Sequence, residues 1–371
     1  MRKMYSGLAM AATIALMAGG ASAQVKIALN GPITGQLASF GEQMKRGAEM
    51  AVADLNAKGG VNGQKIQLII GDDQCDPKQA VAVANKSAQE KVAAVIGHFC
   101  SGSSIPASEV YKEENILQIS PASTNPTFTD RGLANVFRVC GRDDQQGVVA
   151  GDYLLEKFKG KKIAILHDKT AYGKGLADET KKRLNAKGVT EAMYEAITAG
   201  EKDYSALISK MKAAGIDVMY LGGYHPEGGL ITRQAKEQGL NAPLMGGDAL
   251  VDKQFWSIAG DSGEGTLMTF DADPRKNPGA KGLVDKFKAQ GYDPEGYTLY
   301  TYAAFQIYKQ AVEKAKSTKT ADVEKAMRST KFNTVLGTTA FDAKGDVTSP
   351  AYKVYKWSKG NYDYADTGAK S

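Results

Sequence analysis

Short apolar runs rich in β-branched residues recur at positions 25–30, 65–71, 92–97, 117–120 and 136–139, separated by stretches of helical character. After the first run, Met44, Ala48, Ala51, Val52 and Leu55 repeat at helical spacing until Gly59-Gly60 stop the helix. A further helix is expected over 77–90. Strand, helix, strand in this order is a βαβ unit, so the sheet is largely parallel. The rhythm restarts after Arg142, with a helix near 145–158, a strand at 162–167, a helix at 173–187 and a strand at 217–222. Before that last strand, Asp203 can cap a helix presenting Leu207, Ile208 and Met211. Two consecutive doubly wound units predict an α/β chain with two Rossmann-like lobes and a cleft between them. Long helices near 281–290 and 297–316, then strand-like runs at 339–341 and 352–357, return to finish these lobes and do not begin a third.

The amino terminus sets the compartment. Arg2 and Lys3 precede an apolar stretch over 7–17, and Ala21-Ser22-Ala23 offers the small-residue pattern of a signal-peptidase site. Residues 1–23 therefore read as a cleavable signal peptide, with a mature chain from Gln24. As a membrane anchor the stretch falls short of the ~20 apolar residues a span needs, and Gly19-Gly20 interrupt its end. Cleavage removes two basic residues and lowers the formal charge from +6 to +4. The basic side chains are scattered along helix faces, which argues against nucleic acid as a partner. The remaining 348 residues exceed the roughly 250–300 at which a single core stops growing, again favouring two lobes.

Chemistry gathers at three strand ends: Gly97-His98-Phe99-Cys100-Ser101-Gly102-Ser103-Ser104, Ser120-Pro121-Ala122-Ser123-Thr124, and Gly222-Gly223-Tyr224-His225-Pro226-Glu227. Hydroxyls and backbone N–H groups collect there, at the edge where open α/β sheets bind ligands. This points to a polar small-molecule site rather than a catalytic one. No GxSxG accompanies the serine run, and only His98, His167 and His225 exist to act as base. The spacings of nucleotide-binding loops are also missing around Gly31 and Tyr172. No cofactor is expected.

Three cysteines in an exported chain leave one unpaired. Cys75 and Cys100 both follow strands and fall at the same sheet edge, within bridging range in an oxidising compartment. Cys140 is then the free thiol. A zinc site of Cys75, Cys100 and His98 is the sharper alternative, but it lacks CxxC or HExxH spacing.

From Gln24 to about Trp357 the chain resembles the Leu/Ile/Val-binding proteins, periplasmic receptors of branched-chain amino-acid ABC importers. The resemblance rests on Gly59-Gly60-Val61-Asn62-Gly63, Asp73-Gln74-Cys75-Asp76-Pro77-Lys78-Gln79-Ala80, Gly97-His98-Phe99-Cys100-Ser101, Thr198-Ala199-Gly200-Glu201-Lys202-Asp203 and Gly222-Gly223-Tyr224-His225-Pro226-Glu227, in that order. It implies the type I periplasmic-binding fold with three crossovers. Lobe one would comprise 24–142 and 272–348, and lobe two 143–271 and 349–371. It also implies a non-enzymatic, monomeric receptor in the periplasm, delivering its ligand to two permease subunits and two ATPases. The Cys75–Cys100 bridge agrees with the family.

The same resemblance assigns ligand contacts. Ser101, the carbonyl of Ala122 and Thr124 would hold the α-amino-acid group, and the carboxylate of Asp248 would take the ammonium. Phe40, Phe99, Cys100, Tyr172, Tyr224 and Tyr297 would form the apolar wall, with the ring of Tyr172 packing against the ligand. Asp248 is one methylene shorter than the Glu of some relatives, and Phe99 is larger than the leucine of others. Residue type alone leaves plainer roles open: Ser and Thr are ordinary helix caps, and a loop Asp is an ordinary turn former. A receptor of the same fold for an aromatic amino acid, an amide or a short-chain acid is the alternative.

Overall fold

The computed structural model describes residues 24–365. The signal-peptide expectation lies outside the described residues. Five parallel strands form the first sheet: β1 (Val25–Gly31), β2 (Ile66–Asp72), β3 (Ala94–Gly97), β4 (Leu117–Ser120) and β5 (Val136–Arg138), in the order β2-β1-β3-β4-β5. The strand order reverses between β1 and β3. Ligands of open α/β sheets bind outside the strand C-termini at such a point. Ile27, Ala28 and Leu29 in β1, and Val95 and Ile96 in β3, have no exposed surface. That two-sided burial is why these strands read as continuous apolar runs rather than alternating ones.

The second sheet takes β6 (Ile163–His167), β7 (Met193–Ala196), β8 (Val218–Gly222), β9 (Leu244–Gly246) and β10 (Leu267–Asp271), all parallel. A small hairpin of β11 (Phe332–Thr334) and β12 (Gly337–Thr339) stands apart. The chain then adds β13 (Tyr352–Ser358) and β14 (Asn361–Tyr364) antiparallel to the second sheet, giving the order β14-β13-β10-β9-β8-β6-β7. The strand expected at 339–341 is corrected: Thr339 closes the hairpin, and Phe341 makes only an isolated bridge to Val347. β7 was not anticipated because its Tyr194 and Glu195 are half-buried and leave no apolar run.

Helices cover both sheets. The helix Ala38–Ala57 packs along Thr298–Ala315, and Gly47 permits the approach, since a methyl group there would overlap the carbonyl of Thr298. A segment late in the chain is thereby fastened to the first sheet.

The chain leaves the first sheet after β5 (Val136–Arg138) for the second, leaves the second after β10 (Leu267–Asp271), and rejoins it at β13 (Tyr352–Ser358). One carboxylate joins all three passages. Asp271 accepts the N–H of Gly141 on Oδ2 (3.2 Å) and that of Ala351 on Oδ1 (3.0 Å), while its own carbonyl accepts the Tyr355 hydroxyl (2.6 Å). Burial pushes its pKa up to about 6. Asp271→Asn would turn an amide N–H toward one of these two donors. Leaving one buried N–H unpaired should destabilise the protein by about 1–3 kcal/mol, seen as a lower urea midpoint. An unchanged midpoint would remove Asp271 as the tie.

Candidate functional site

On the first lobe the site is built from loops after β3 and β4. Ser101 opens the helix Ser101–Glu113, and its Oγ accepts the N–H of Asn125 (3.2 Å). Ser120 donates to the carbonyl of His98 (2.7 Å) and accepts the N–H groups of Ala122 and Ser123 (3.2 and 2.9 Å). Ser123 donates to the carbonyl of Phe99 (2.9 Å). Arg138, wholly buried, donates to the carbonyls of Ser123 (2.6 Å) and Asn125 (3.0 Å) and is held by Asp346 at 2.6 Å. These bonds fix the backbone carrying Ala122 and Thr124. The Thr124 hydroxyl itself is buried and has no hydrogen-bond partner.

Cys75 and Cys100 form the disulfide, with Cα atoms 5.6 Å apart, while Cys140 is free and buried. Burial pushes the Cys140 thiol well up, so it stays protonated. The zinc reading fails on the fate of its ligands. Both cysteines are consumed by the bridge, and the His98 ring is engaged at Nδ1 by Asp73 (2.5 Å) and at Nε2 by the Tyr111 hydroxyl (2.7 Å).

Asp248 follows β9 on a 3₁₀ turn, Asp248–Leu250, and is fully buried. Its carboxylate accepts the Tyr172 hydroxyl (2.8 Å), Nε2 of Gln146 (2.8 Å) and the Tyr297 hydroxyl. Tyr297 precedes the helix Thr298–Ala315 on the first lobe, so this last bond spans the cleft. Aromatic rings surround the carboxylate. Phe40 stacks on Phe99 (centroids 4.3 Å apart), Phe99 meets Tyr297 edge-on (5.0 Å), and Tyr172 lies 5.0 Å from Tyr224. The Tyr224 hydroxyl comes within 3.8 Å of Cys75 Sγ. Asp248, Tyr172 and Tyr297 are thus joined by hydrogen bonds, with Phe40, Phe99 and Tyr224 in ring contact around them, while Ser101, Ala122 and Thr124 lie in the loops after β3 and β4.

Tyr172 differs from its expected part. Its hydroxyl donates to Asp248 and accepts from the N–H of Ala249 (3.3 Å), so it is a polar partner as well as a ring. Sequence reasoning also missed the residues that hold the cluster together. Gln146 connects Asp248 to Asp143, to which Nε2 also donates (3.2 Å). At the mouth, Gln43 donates to Asp252 across the cleft (3.0 Å) and accepts the N–H of Tyr297 (2.9 Å), while Asn125 donates to the carbonyl of Ala171 (2.6 Å). The i, i+3 spacing of Asp143 and Gln146 on one helix was the only signal available.

The electrostatics favour an incoming cation. Burial raises the Asp248 carboxyl to about 6 although Tyr297 and Tyr172 donate to it, and burial with the nearby Asp248 charge raises Asp143 to about 8. Arg138, the cation beside Asp143, already serves Asp346 and two carbonyls. A buried carboxylate beside a protonated carboxyl, with apolar walls and facing hydroxyls and N–H groups on the other lobe, suits a small molecule bearing both charges.

Residues 24–361 match the model of a family described as periplasmic binding protein. The chain belongs to that family. Over 369 residues, 98% of this chain and 99% of the relative, it is 53% identical to "Leu/Ile/Val-binding protein homolog 1" of Brucella suis. Solved structures of the same fold include a leucine-binding protein of Thermotoga maritima, with TM-score 0.86 and 28% identity over 92% of this chain and 97% of that one. Another is a branched-chain amino acid transporter substrate-binding protein of Streptococcus pneumoniae in complex with isoleucine, with TM-score 0.83 and 26% identity over 92% and 98%. The fold is therefore the type I periplasmic-binding fold, and no helix among the described residues is long and apolar enough to cross a membrane.

Proposed function

We propose that this chain is the solute receptor of an ABC importer and captures a branched-chain or related aliphatic amino acid by closing its two lobes. Asp248 carries the reading: a buried carboxylate at the lobe boundary, opposite the Ser101 and Thr124 loops. The ammonium would sit on Asp248, the Thr124 hydroxyl and the carbonyl of Ala122. The carboxylate would meet Ser101 and the N–H groups at the start of its helix, where the backbone dipole favours an anion. Phe40, Phe99, Cys100, Tyr172, Tyr224 and Tyr297 would enclose the side chain. In this reading the lobes divide at 142/143, 271/272 and 348/349, residues 1–23 export the chain, and the monomeric receptor docks on two permease subunits served by two ATPases.

Relatives named for leucine, isoleucine and valine support the aliphatic class. The Phe40–Phe99 stack favours a second reading, because it narrows the wall and suits a smaller side chain or a flat amide or acid. Titration calorimetry of ligand-stripped protein against the twenty amino acids decides between them. Tight binding of Leu, Ile, Val or a near relative is expected, and binding of none of the twenty would overturn the amino-acid reading. Small-angle scattering should show a smaller radius of gyration with saturating ligand, because the contacts are divided between lobes. An unchanged radius would leave a site that is already closed.

A further inference from the structure

Asp143 has no part in the ligand contacts assigned above, yet its surroundings are those of a working group. It opens the helix Asp143–Lys157 and its N–H donates to the carbonyl of Thr124 (2.9 Å), so the first passage between lobes is tied to the ligand loop. Asp143 Oδ1 accepts from Gln146 Nε2, the same atom that donates to Asp248. Asp143 Oδ2 is buried without a partner, as is Thr124 Oγ1. The two side chains are close enough for the hydroxyl to hold down the Asp143 pKa, but they stop short of a full hydrogen bond. Two unsatisfied oxygens on neighbouring side chains, with the Thr124 hydroxyl proton and the proton that Asp143 itself carries, need something further to settle which way those protons point.

We propose that Asp143 is a positioning residue for ligand capture: as the ligand ammonium enters, Asp143 releases its own proton to solvent and its free oxygen accepts a hydrogen bond from the Thr124 hydroxyl, turning the Thr124 lone pairs toward that ammonium. The inference rests on the amino-acid reading. A hydroxyl that accepts from an ammonium must donate elsewhere, and Asp143 Oδ2 is the buried acceptor next to it. An ammonium placed between Asp248 and Thr124 also offsets the Asp248 charge that, after burial, most disfavours ionised Asp143. The other groups facing Asp143 do not compete. The Cys140 thiol and the Tyr172, Tyr220, Tyr224 and Tyr352 hydroxyls are all pushed up and remain neutral. Arg138 is engaged by the Asp346 carboxylate at 2.6 Å.

Buried as it is with the lobes together, Asp143 holds its proton up to about pH 8, so seating the ammonium near pH 7 should release close to one proton. Calorimetry with the tightest-binding amino acid of the panel, run at pH 7 in phosphate and in Tris, measures that number directly from the dependence of the heat on buffer ionisation. Affinity should rise with pH between 6 and 8. Asp143→Asn should remove most of the proton release at pH 7 and the rise in affinity between pH 7 and 8, leaving only the dependence near pH 6 that belongs to Asp248, and weaken binding by about ten- to a hundredfold. In a double-mutant cycle, Thr124→Val should then add little, because the two side chains act as one unit. A wild-type protein that binds its amino acid with no proton exchanged at pH 7 overturns the role of Asp143 while leaving the receptor reading standing. Binding of no amino acid overturns both. The wild-type proton count decides the matter even if Asp143→Asn does not fold.

Discussion

Asp248→Asn should lower affinity for the amino-acid ligand by roughly two to three and a half orders of magnitude. The substitution preserves size and one acceptor oxygen but removes the anion, leaving a desolvated ammonium with neutral acceptors only. Breaking one side of a buried ion pair costs about 3–5 kcal/mol, and each decade of affinity is about 1.4 kcal/mol. Stability should not follow affinity down. Asp248 is raised to about 6 from 3.8, mainly by burial, so the folded state binds more protons than the unfolded chain between those values. Its contribution to stability therefore falls as pH rises from about 4 to about 6, and above that the ionised carboxylate works against the fold. The Asn variant, free of this charge, should melt no earlier than wild type at pH 7 without ligand. Calorimetry beside thermal melts checks both halves. A folded Asp248→Asn that binds within threefold of wild type would reduce Asp248 to a turn residue and favour a ligand held without its ammonium. Tyr172→Phe, which removes one of three donors to the same carboxylate, should cost more than a ring-only role would allow.

Strands buried on both faces, such as β1, β3 and β8, announced themselves as apolar runs because a buried polar side chain there needs a partner, as Gln118 and Ser120 of β4 find in the carbonyls of Gly97 and His98. Their C-terminal loops, and with them Ser101, Thr124 and Tyr224, followed from that. Elements with one wet face did not. β14 alternates exposed and half-buried residues at the sheet edge, and Asn361-Tyr362-Asp363-Tyr364 carries no apolar run. What holds the site in place was hidden for a different reason. Arg138 and Asp346 lie 208 positions apart, Gln146 and Asp248 102 apart, and Gln43 and Asp252 209 apart. Arg138 meets Asp346 because the chain returns to the first lobe, Gln43 meets Asp252 across the cleft, and Gln146 meets Asp248 within the second lobe; polar residues that serve such distant partners look in sequence like solvated ones. Asp143 is the sharpest case, an acid at a helix start where an acid is ordinary, and only the fold buries it against a second carboxylate.

Loss of the Cys75–Cys100 bridge should destabilise the protein by about 3 kcal/mol, within the usual range for closing a loop of this size, 25 residues in sequence separation. The bridge joins the loops after β2 and β3, and since β1 lies between those strands it spans the outlet of β1. It therefore fastens the loop carrying Phe99 and Ser101 at the strand order's reversal, and places Cys75 Sγ against the Tyr224 hydroxyl of the opposite lobe. Cys75→Ala with Cys100→Ala should fold, melt at lower temperature and bind with a smaller loss than Asp248→Asn, since no charged contact is removed. Reductant should lower the melting temperature of wild type toward that of the double variant and leave the variant unchanged. Cys140, enclosed and protonated, should resist alkylation until the chain unfolds. Peptide mapping without reduction should recover Cys75 joined to Cys100. A bridge from Cys140 to either cysteine, or a wild-type melting temperature indifferent to reductant, would show that this covalent tie does not hold the ligand loops.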